Sequence, residues 1–240
     1  MNIRILRFDT LGSTNTEAAN QARQGADEGL CVVADEQTGG KGRQGRSWIS
    51  EKGSGVFLSI VLRPKVDAKY VSLITLMAAV AVYDLLVKGF LIDPDIKWPN
   101  DIHVNEKKIC GILAEAVETT QGLAVILGIG INLKTPDNDD ATSIAAESQF
   151  APDRDDIVKV LIEDISGLYD RMQNDPQTVI EMWRERSSYF EGKAVNVALS
   201  DRIITGTTAG LEETGALRVK LSDGSVTVVH AGDVTRLRRD

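Results

Sequence analysis

Two spacings of apolar residues organise the chain. From Tyr70, apolar side chains recur at Leu73, Ile74, Met77, Ala81 and Leu85, the three- and four-residue rhythm of a helix with one buried stripe, ending near Gly89. The same rhythm at Ile157, Val160, Leu161, Ile165, Leu168 and Met172 predicts a second long helix, and a third is predicted over residues 177–188 with Pro176 near its start. Nearer the beginning, STNTEAANQARQG reads as a short helix, with Thr14 and Glu17 as a capping box and Gly25 as its stop. Elsewhere the apolar residues run continuously or alternate, which predicts strands. CVVADE and GVFLSIVL are two of them, and LAVILGIGINL is a third, broken by Gly128 and Gly130. DIHVNEKKICGILAEAVE reads as a hairpin turning at Asn105 and Glu106. Residues 134–153, with Pro136, Pro152 and a DNDD run, are a loop or lid. After Gly192 the texture changes to short strands parted by SD, ETG and SDG turns, a small all-β barrel. The expected architecture is α+β: a mixed β-sheet with flanking helices over residues 1–190, and a barrel over residues 191–240.

Composition narrows the function classes. The formal net charge is −8 in 240 residues, which argues against a general nucleic-acid binder, whose affinity rests on neutralising phosphates. Cys31 and Cys110 are isolated in apolar runs and read as reduced core thiols. His103 and His230 show no zinc spacing. The start MNIRILRFDT is too short and polar for a secretory signal, and no apolar run is read as a membrane span, so a cytoplasmic protein is expected.

Against that acidic background, GGKGRQGRSW at residues 39–48 packs four glycines with Lys41, Arg43 and Arg46. It satisfies G-x-G-x-x-G and lies one residue from a P-loop, yet both motifs need a helix directly after the glycine turn. WISEKGSGVFLSI follows instead, with Gly53 and Gly55 where that helix would start. Both readings fail. A mobile loop between strands remains, either a solvated basic surface or a loop that folds over a phosphate or acyl-phosphate using N–H groups and guanidinium forks.

Five ordered stretches decide between these: STN at residues 13–15, ADEQTGGKGRQGRSW, IKWPND at residues 96–101, KKICGIL at residues 107–113, and GIGINL at residues 128–133. Together they resemble the catalytic domain of biotin protein ligases, from about Leu6 to Leu133, with weaker likeness continuing to a C-terminal SH3-like barrel. The resemblance implies the class II synthetase/biotin–lipoate ligase-like fold and a two-step reaction. Biotin and ATP give biotinyl-5′-AMP and pyrophosphate, and a lysine of a biotin-acceptor domain of a biotin-dependent carboxylase then displaces AMP. Mg2+ is implied as a shield for ATP, held largely through phosphates and water. Lipoate–protein ligase is the rival within the fold. A DNA-binding repressor is the rival outside it, and with 12 residues ahead of STN a ligase-only form without nucleic acid is expected. A homodimer is implied by likeness alone.

By position, the resemblance assigns Ser13, Thr14, Asn15 and Gln37 to biotin, whose ureido ring needs donors and acceptors. Gly39, Lys41, Gly42, Arg43 and Arg46 match the adenylate-binding loop, with Lys41 where the family usually has arginine. Trp48 is implied as a wall near the nucleotide. Asn100 and Asp101 match the site's polar cluster, Asp101 orienting the incoming lysine or a magnesium-bound water. Lys108 matches the lysine that contacts both biotin's carboxylate and the α-phosphate, so Lys108, Arg43 and Asp101 are the candidate catalytic residues. Gly111 and Gly130 are implied to let backbone approach ligand, and Asn132 to lie near phosphates and metal.

Overall fold

A computed structural model describes residues 1–236; residues 237–240 of the expected barrel lie outside the described residues. The elements are β1 (Arg4–Leu11), α1 (Thr14–Arg23), β2 (Leu30–Gln37), β3 (Gly55–Leu62), α2 (Leu73–Phe90), β4 (Asp95–Lys97), β5 (Asp101–Val104), β6 (Lys107–Thr119) and β7 (Gly122–Asn132). There follow α3 (Ile144–Glu147), α4 (Arg154–Asn174), α5 (Gln177–Arg184) and β8 (Glu191–Ala198), then β9 (Ile203–Leu211), β10 (Leu217–Lys220), β11 (Val226–Val229) and β12 (Asp233–Arg236). Seven strands form one sheet in the order β1-β2-β3-β7-β6-β5-β4. Only β1 and β2 pair in parallel; the other neighbours are antiparallel.

Strand alternation divides this sheet into two unlike faces. On one, Val56, Leu58, Ile60 and Leu62 of β3 and Val125, Leu127, Ile129 and Ile131 of β7 join the main core with α2, α4 and α5. Helix α2 is buried almost all round, so its apolar stripe is wider than the sequence spacing implied. The segment Ala68–Phe90 is long and apolar enough to cross a membrane by length and composition, contrary to the sequence reading, and 61% of that window is buried inside the fold. On the other face lies a smaller core of Ala18 and Ala22 from α1 against Leu30, Val32, Val61, Val117, Ala124 and Ile126.

Several expectations change in detail. The cap of α1 is Ser13, whose side chain accepts from Thr16 N–H, not the Thr14–Glu17 box; Glu17 instead accepts from Gln21. The expected stop is kept, Gly25 at φ 94° directly following the C-cap. Strand β7 is not broken by its glycines but pairs without interruption along both β3 and β6. The hairpin turns where expected, with Asn105 and Glu106 both at positive φ (50° and 67°). The 134–153 segment contains α3, and α5 is shorter than predicted, ending at Arg184.

The second sheet is antiparallel in the order β11-β10-β9-β8-β12. Its outer strands do not pair with each other, so among the described residues the second unit is an antiparallel sheet without barrel closure. It is nonetheless fused to the first unit: Val195, Val197, Leu217, Val219, Val229 and Val234 belong to the main core. The turn before β10 docks on α2, where Trp98 Nε1 donates to Gly215 O at 2.9 Å and Ser72 Oγ to Thr214 O at 2.6 Å.

Candidate functional site

Helix α1 covers only part of its sheet face. Beyond it the inward positions are Gly128 and Gly130 on β7 and Gly111 on β6, with Gly111 and Gly130 paired in register. Where a sheet face carries glycine, no side chain fills the space above it. Residues 39–48 fold over that gap. The loop is a compact hairpin, with Lys41 bridged to Ser47, Gly42 N–H donating to Arg46 O at 2.7 Å, and one 3-10 turn over Arg43–Gly45. No helix follows it before β3, which agrees with rejecting the P-loop and Rossmann readings. The enclosed cavity is lined by Ser13, Thr14, Asn15, Gln37, Trp48 and Lys108, among others, and opens beside a cleft of about 980 Å³ between the loop and the second sheet.

At one end the first turn of α1 builds a buried polar network. Gln37 Oε1 accepts from Thr14 N (2.8 Å) and Thr14 Oγ1 (3.1 Å), while Gln37 Nε2 donates to Ser50 Oγ (2.9 Å). Ser59 lies within hydrogen-bond reach of Thr14 Oγ1 (2.8 Å) and Asn15 Oδ1 (2.6 Å), and Asn15 Nδ2 donates to Glu115 Oε2 (2.7 Å). Ser50, Ser59 and Glu115 were missed by sequence reasoning. Ser59 carried a signal, a polar residue inside GVFLSIVL, because a hydroxyl in a wholly buried strand needs a partner. Gly128 is required by this network: a Cβ there would sit 2.0 Å from Asn15 Oδ1.

At the other end stands charge. Lys108 Nζ lies 2.7 Å from Asp101 Oδ1 and 5.2 Å from the centre of the Trp48 ring. The β4–β5 register sets Lys97 opposite Asp101, and burial lowers the Lys97 pKa from its ordinary value, with the Asp101 charge opposing. Lys97 is a further site residue that sequence reasoning did not single out. Trp48 itself lies flat on the cleared sheet: a Cβ on Gly130 would be 2.5 Å from its Nε1, and one on Gly111 2.8 Å from its Cζ3. Among the described residues it is the indole that lies against these two glycines. Trp48 Nε1 is buried with no acceptor among the described residues, a donor left open within the cavity wall.

The loop cations are distributed unequally. Lys41 is exposed. Arg43 Nη1 donates to Asn100 Oδ1 (3.0 Å) and Gly232 O (3.2 Å), and burial lowers the pKa of this guanidinium. Arg46 Nη2 meets Asp233 Oδ1 at 3.0 Å. Asn100, on the turn after the cis Trp98–Pro99 peptide, also donates to Ile112 O at 3.0 Å, so it ties the cation loop to β6. Asn132 turns toward the chain: its Nδ2 donates to Thr142 O (2.9 Å) and Lys108 O (3.4 Å), fastening the 134–143 segment beside Lys108. Among the described residues no three His, Cys, Asp or Glu side chains form a metal cluster, and Asp101 is already paired to Lys108. A resident metal does not fit these residues.

Comparison with known proteins agrees with this geometry. Residues 8–132 match the Biotin/lipoate A/B protein ligase family, and residues 191–236 match the biotin protein ligase C terminal domain. The chain is 32% identical to the bifunctional ligase/repressor BirA of Bacillus subtilis, over 98% of this chain and 74% of that protein. It is also 32% identical to the biotin–[acetyl-CoA-carboxylase] ligase of Mycobacterium tuberculosis, over 95% and 86% of the two chains. The structure of biotin protein ligase from Aquifex aeolicus in complex with biotin and ATP superposes with a TM-score of 0.85 at 26% identity, covering all of both chains. With a family model covering more than half its length and relatives of this similarity along nearly all of it, the chain belongs to the biotin/lipoate A/B protein ligase family.

Proposed function

We propose that this chain is an ATP-dependent biotin–protein ligase that forms biotinyl-5′-AMP and passes the biotinyl group to a lysine of a biotin-acceptor domain of a biotin-dependent carboxylase. The observation that carries the reading is the polarity of one cavity. Donors and acceptors stand at the α1 end, and Lys108 with the cation loop stands at the other. A ureido ring suits the first and a carboxylate approaching phosphate suits the second.

In the first step a biotin carboxylate oxygen attacks the α-phosphorus. An O–P bond forms, the α–β bridging P–O bond breaks, and pyrophosphate leaves. Both reactants are anionic, so preorganised cations supply most of what the protein can contribute. Lys108 sits where carboxylate and phosphate converge, and Lys41 and Arg43 approach from the loop. In the second step the acceptor lysine gives up a proton to solvent and attacks the acyl carbon as a neutral amine, its second proton leaving to solvent as the amide forms. A C–N bond forms, the C–O bond to phosphate breaks, and AMP leaves. Asp101, held by Lys108 beside the same cavity, is placed to attract the incoming ammonium. Magnesium belongs to this scheme as the counter-ion that ATP brings, since no cluster among the described residues fits it. The formal net charge of −8 supports action without nucleic acid.

The test is ATP–pyrophosphate exchange with biotin, with lipoate and with neither. Biotin is expected to stimulate exchange in a magnesium-dependent way and lipoate to leave it at background. Exchange indifferent to biotin would overturn the reading.

A further inference from the structure

The second sheet reaches into the cation loop at one point, Gly232 and Asp233. Asp233 opens β12 and pairs with Ala198, and a Cβ on Gly232 would lie 2.8 Å from Val197 Cγ1, so this corner is seated tightly on β8. Both loop guanidiniums converge on the same oxygen: Asp233 Oδ1 is 3.0 Å from Arg46 Nη2 and 3.6 Å from Arg43 Nη1. Arg46 Nε in turn donates to Arg43 O at 3.2 Å, closing the turn on itself.

The distribution of contacts on Arg43 decides what this corner does. Asn100 Oδ1, Gly232 O and Asp233 Oδ1 all lie on Nη1. The Nε–Nη2 edge, which can grip an anion with two parallel hydrogen bonds, has no partner among the described residues. A carboxylate competing with phosphate would occupy that edge. Asp233 occupies the far one, so it aims the fork without spending it.

We propose that Asp233 is a positioning residue of adenylate formation: acting through Arg43 and Arg46, the second sheet fixes the loop in the shape that meets the ATP phosphates. This rests on the ligase reading for the identity of the anion, and it predicts an effect on ATP and not on biotin.

The experiment uses the full chain, with Asp233→Asn, Asp233→Glu, Arg43→Ala and the double variant Asp233→Asn/Arg43→Ala. ATP affinity is measured by calorimetry, and KM and kcat by pyrophosphate exchange. Loss of one charge-assisted contact sets the scale at about tenfold. Asp233→Asn is expected to weaken ATP binding by about that factor and raise the KM for ATP alike. The biotin KM should be unchanged and kcat reduced less. Asp233→Glu should recover most of the loss. In the Arg43→Ala background the asparagine should cost less than in the parent, because only Arg46 is left for Asp233 to aim. Unchanged ATP affinity in Asp233→Asn would overturn the proposal. So would an equal loss with and without Arg43, which marks a merely structural contact. Wild-type exchange indifferent to biotin would count against the ligase reading alone, with ATP calorimetry still judging Asp233.

Discussion

Lys108 illustrates how one side chain joins two requirements. Its ammonium neutralises Asp101 at 2.7 Å and lies over the Trp48 ring, so it is already fixed in place before any anion arrives. Preorganisation of that kind is where a single donor has most effect on rate. Lys108→Ala is expected to slow biotin-dependent exchange by about 10²–10³-fold, and a rate near that of the parent would mean the catalytic lysine has been misplaced. A second residue-scale consequence follows from the thiols. Burial raises Cys31 to about 12, and Cys110 is shifted in the same direction by the same cause. The unfolded chain loses these protons near pH 8.5, whereas the folded chain keeps them, so the native state binds more protons and stability must fall as pH rises above that value. The urea midpoint should decline from about pH 8.5 upward, and both thiols should resist alkylation until the chain unfolds. Fast alkylation in native conditions would contradict the burial.

At the scale of elements, β7 explains most of the site. In GIGIN the isoleucines, Ile129 and Ile131, point into the main core, and the glycines, Gly128 and Gly130, clear the opposite face. Read as interruptions, the glycines hide this. Read with period two, they clear one face of the strand's own side chains so that Asn15 and Trp48 can lie against it. The main helices and most of the strands were legible because apolar periodicity is strong where both partners are core. β1 was not, since its outward positions are largely exposed at the sheet edge, and β4 is only three residues long. Within the site, the resemblance-carrying motifs marked residues that meet in space. Ser59, Glu115 and Asp233 escaped because each acts through a partner far along the chain, and Lys97 because a lysine at the end of a short strand looks like any exposed one until the β4–β5 register sets it opposite Asp101. The glycine argument has its own test. Gly130→Ala places a methyl against the indole (2.5 Å from Nε1), so Trp48 must lift while strand pairing persists. Trp98 and Trp183 are fully buried, which leaves Trp48 to report. Its emission should become more accessible to acrylamide and the KM for biotin should rise, with little change in melting temperature. Unaltered quenching would show that Trp48 does not rest on Gly130.

For the whole molecule, the shared core has a thermodynamic consequence. The second sheet contributes its inward valines to the same cluster that holds α2 and α4, and Trp98, beside the site, donates to Gly215 across the junction. Two units joined through one core unfold together. Heating the full chain should give a single transition. A chain cut to residues 1–190 should melt lower and lose ATP affinity beyond what Asp233→Asn alone removes. Two separated transitions in the full chain would show that the sheets are independent.

The contact between Arg43 and Gly232 spans 189 positions of sequence, and that between Arg46 and Asp233 spans 187. Synthesis proceeds at roughly 5–20 residues per second, so about 10–40 s separate the emergence of the cation loop from that of the residues that hold it. During that interval the strands of the first sheet and the polar α1 end of the cavity are already synthesised, yet Arg43 has Asn100 alone to hold it and Arg46 lacks Asp233. On the roles proposed above, such a chain would offer the polar α1 end of the cavity before Gly232 and Asp233 hold the cation loop. If Asp233 sets the loop as proposed, adenylate, a reactive acylating agent, forms efficiently only after the far end of the fold has arrived to confine it.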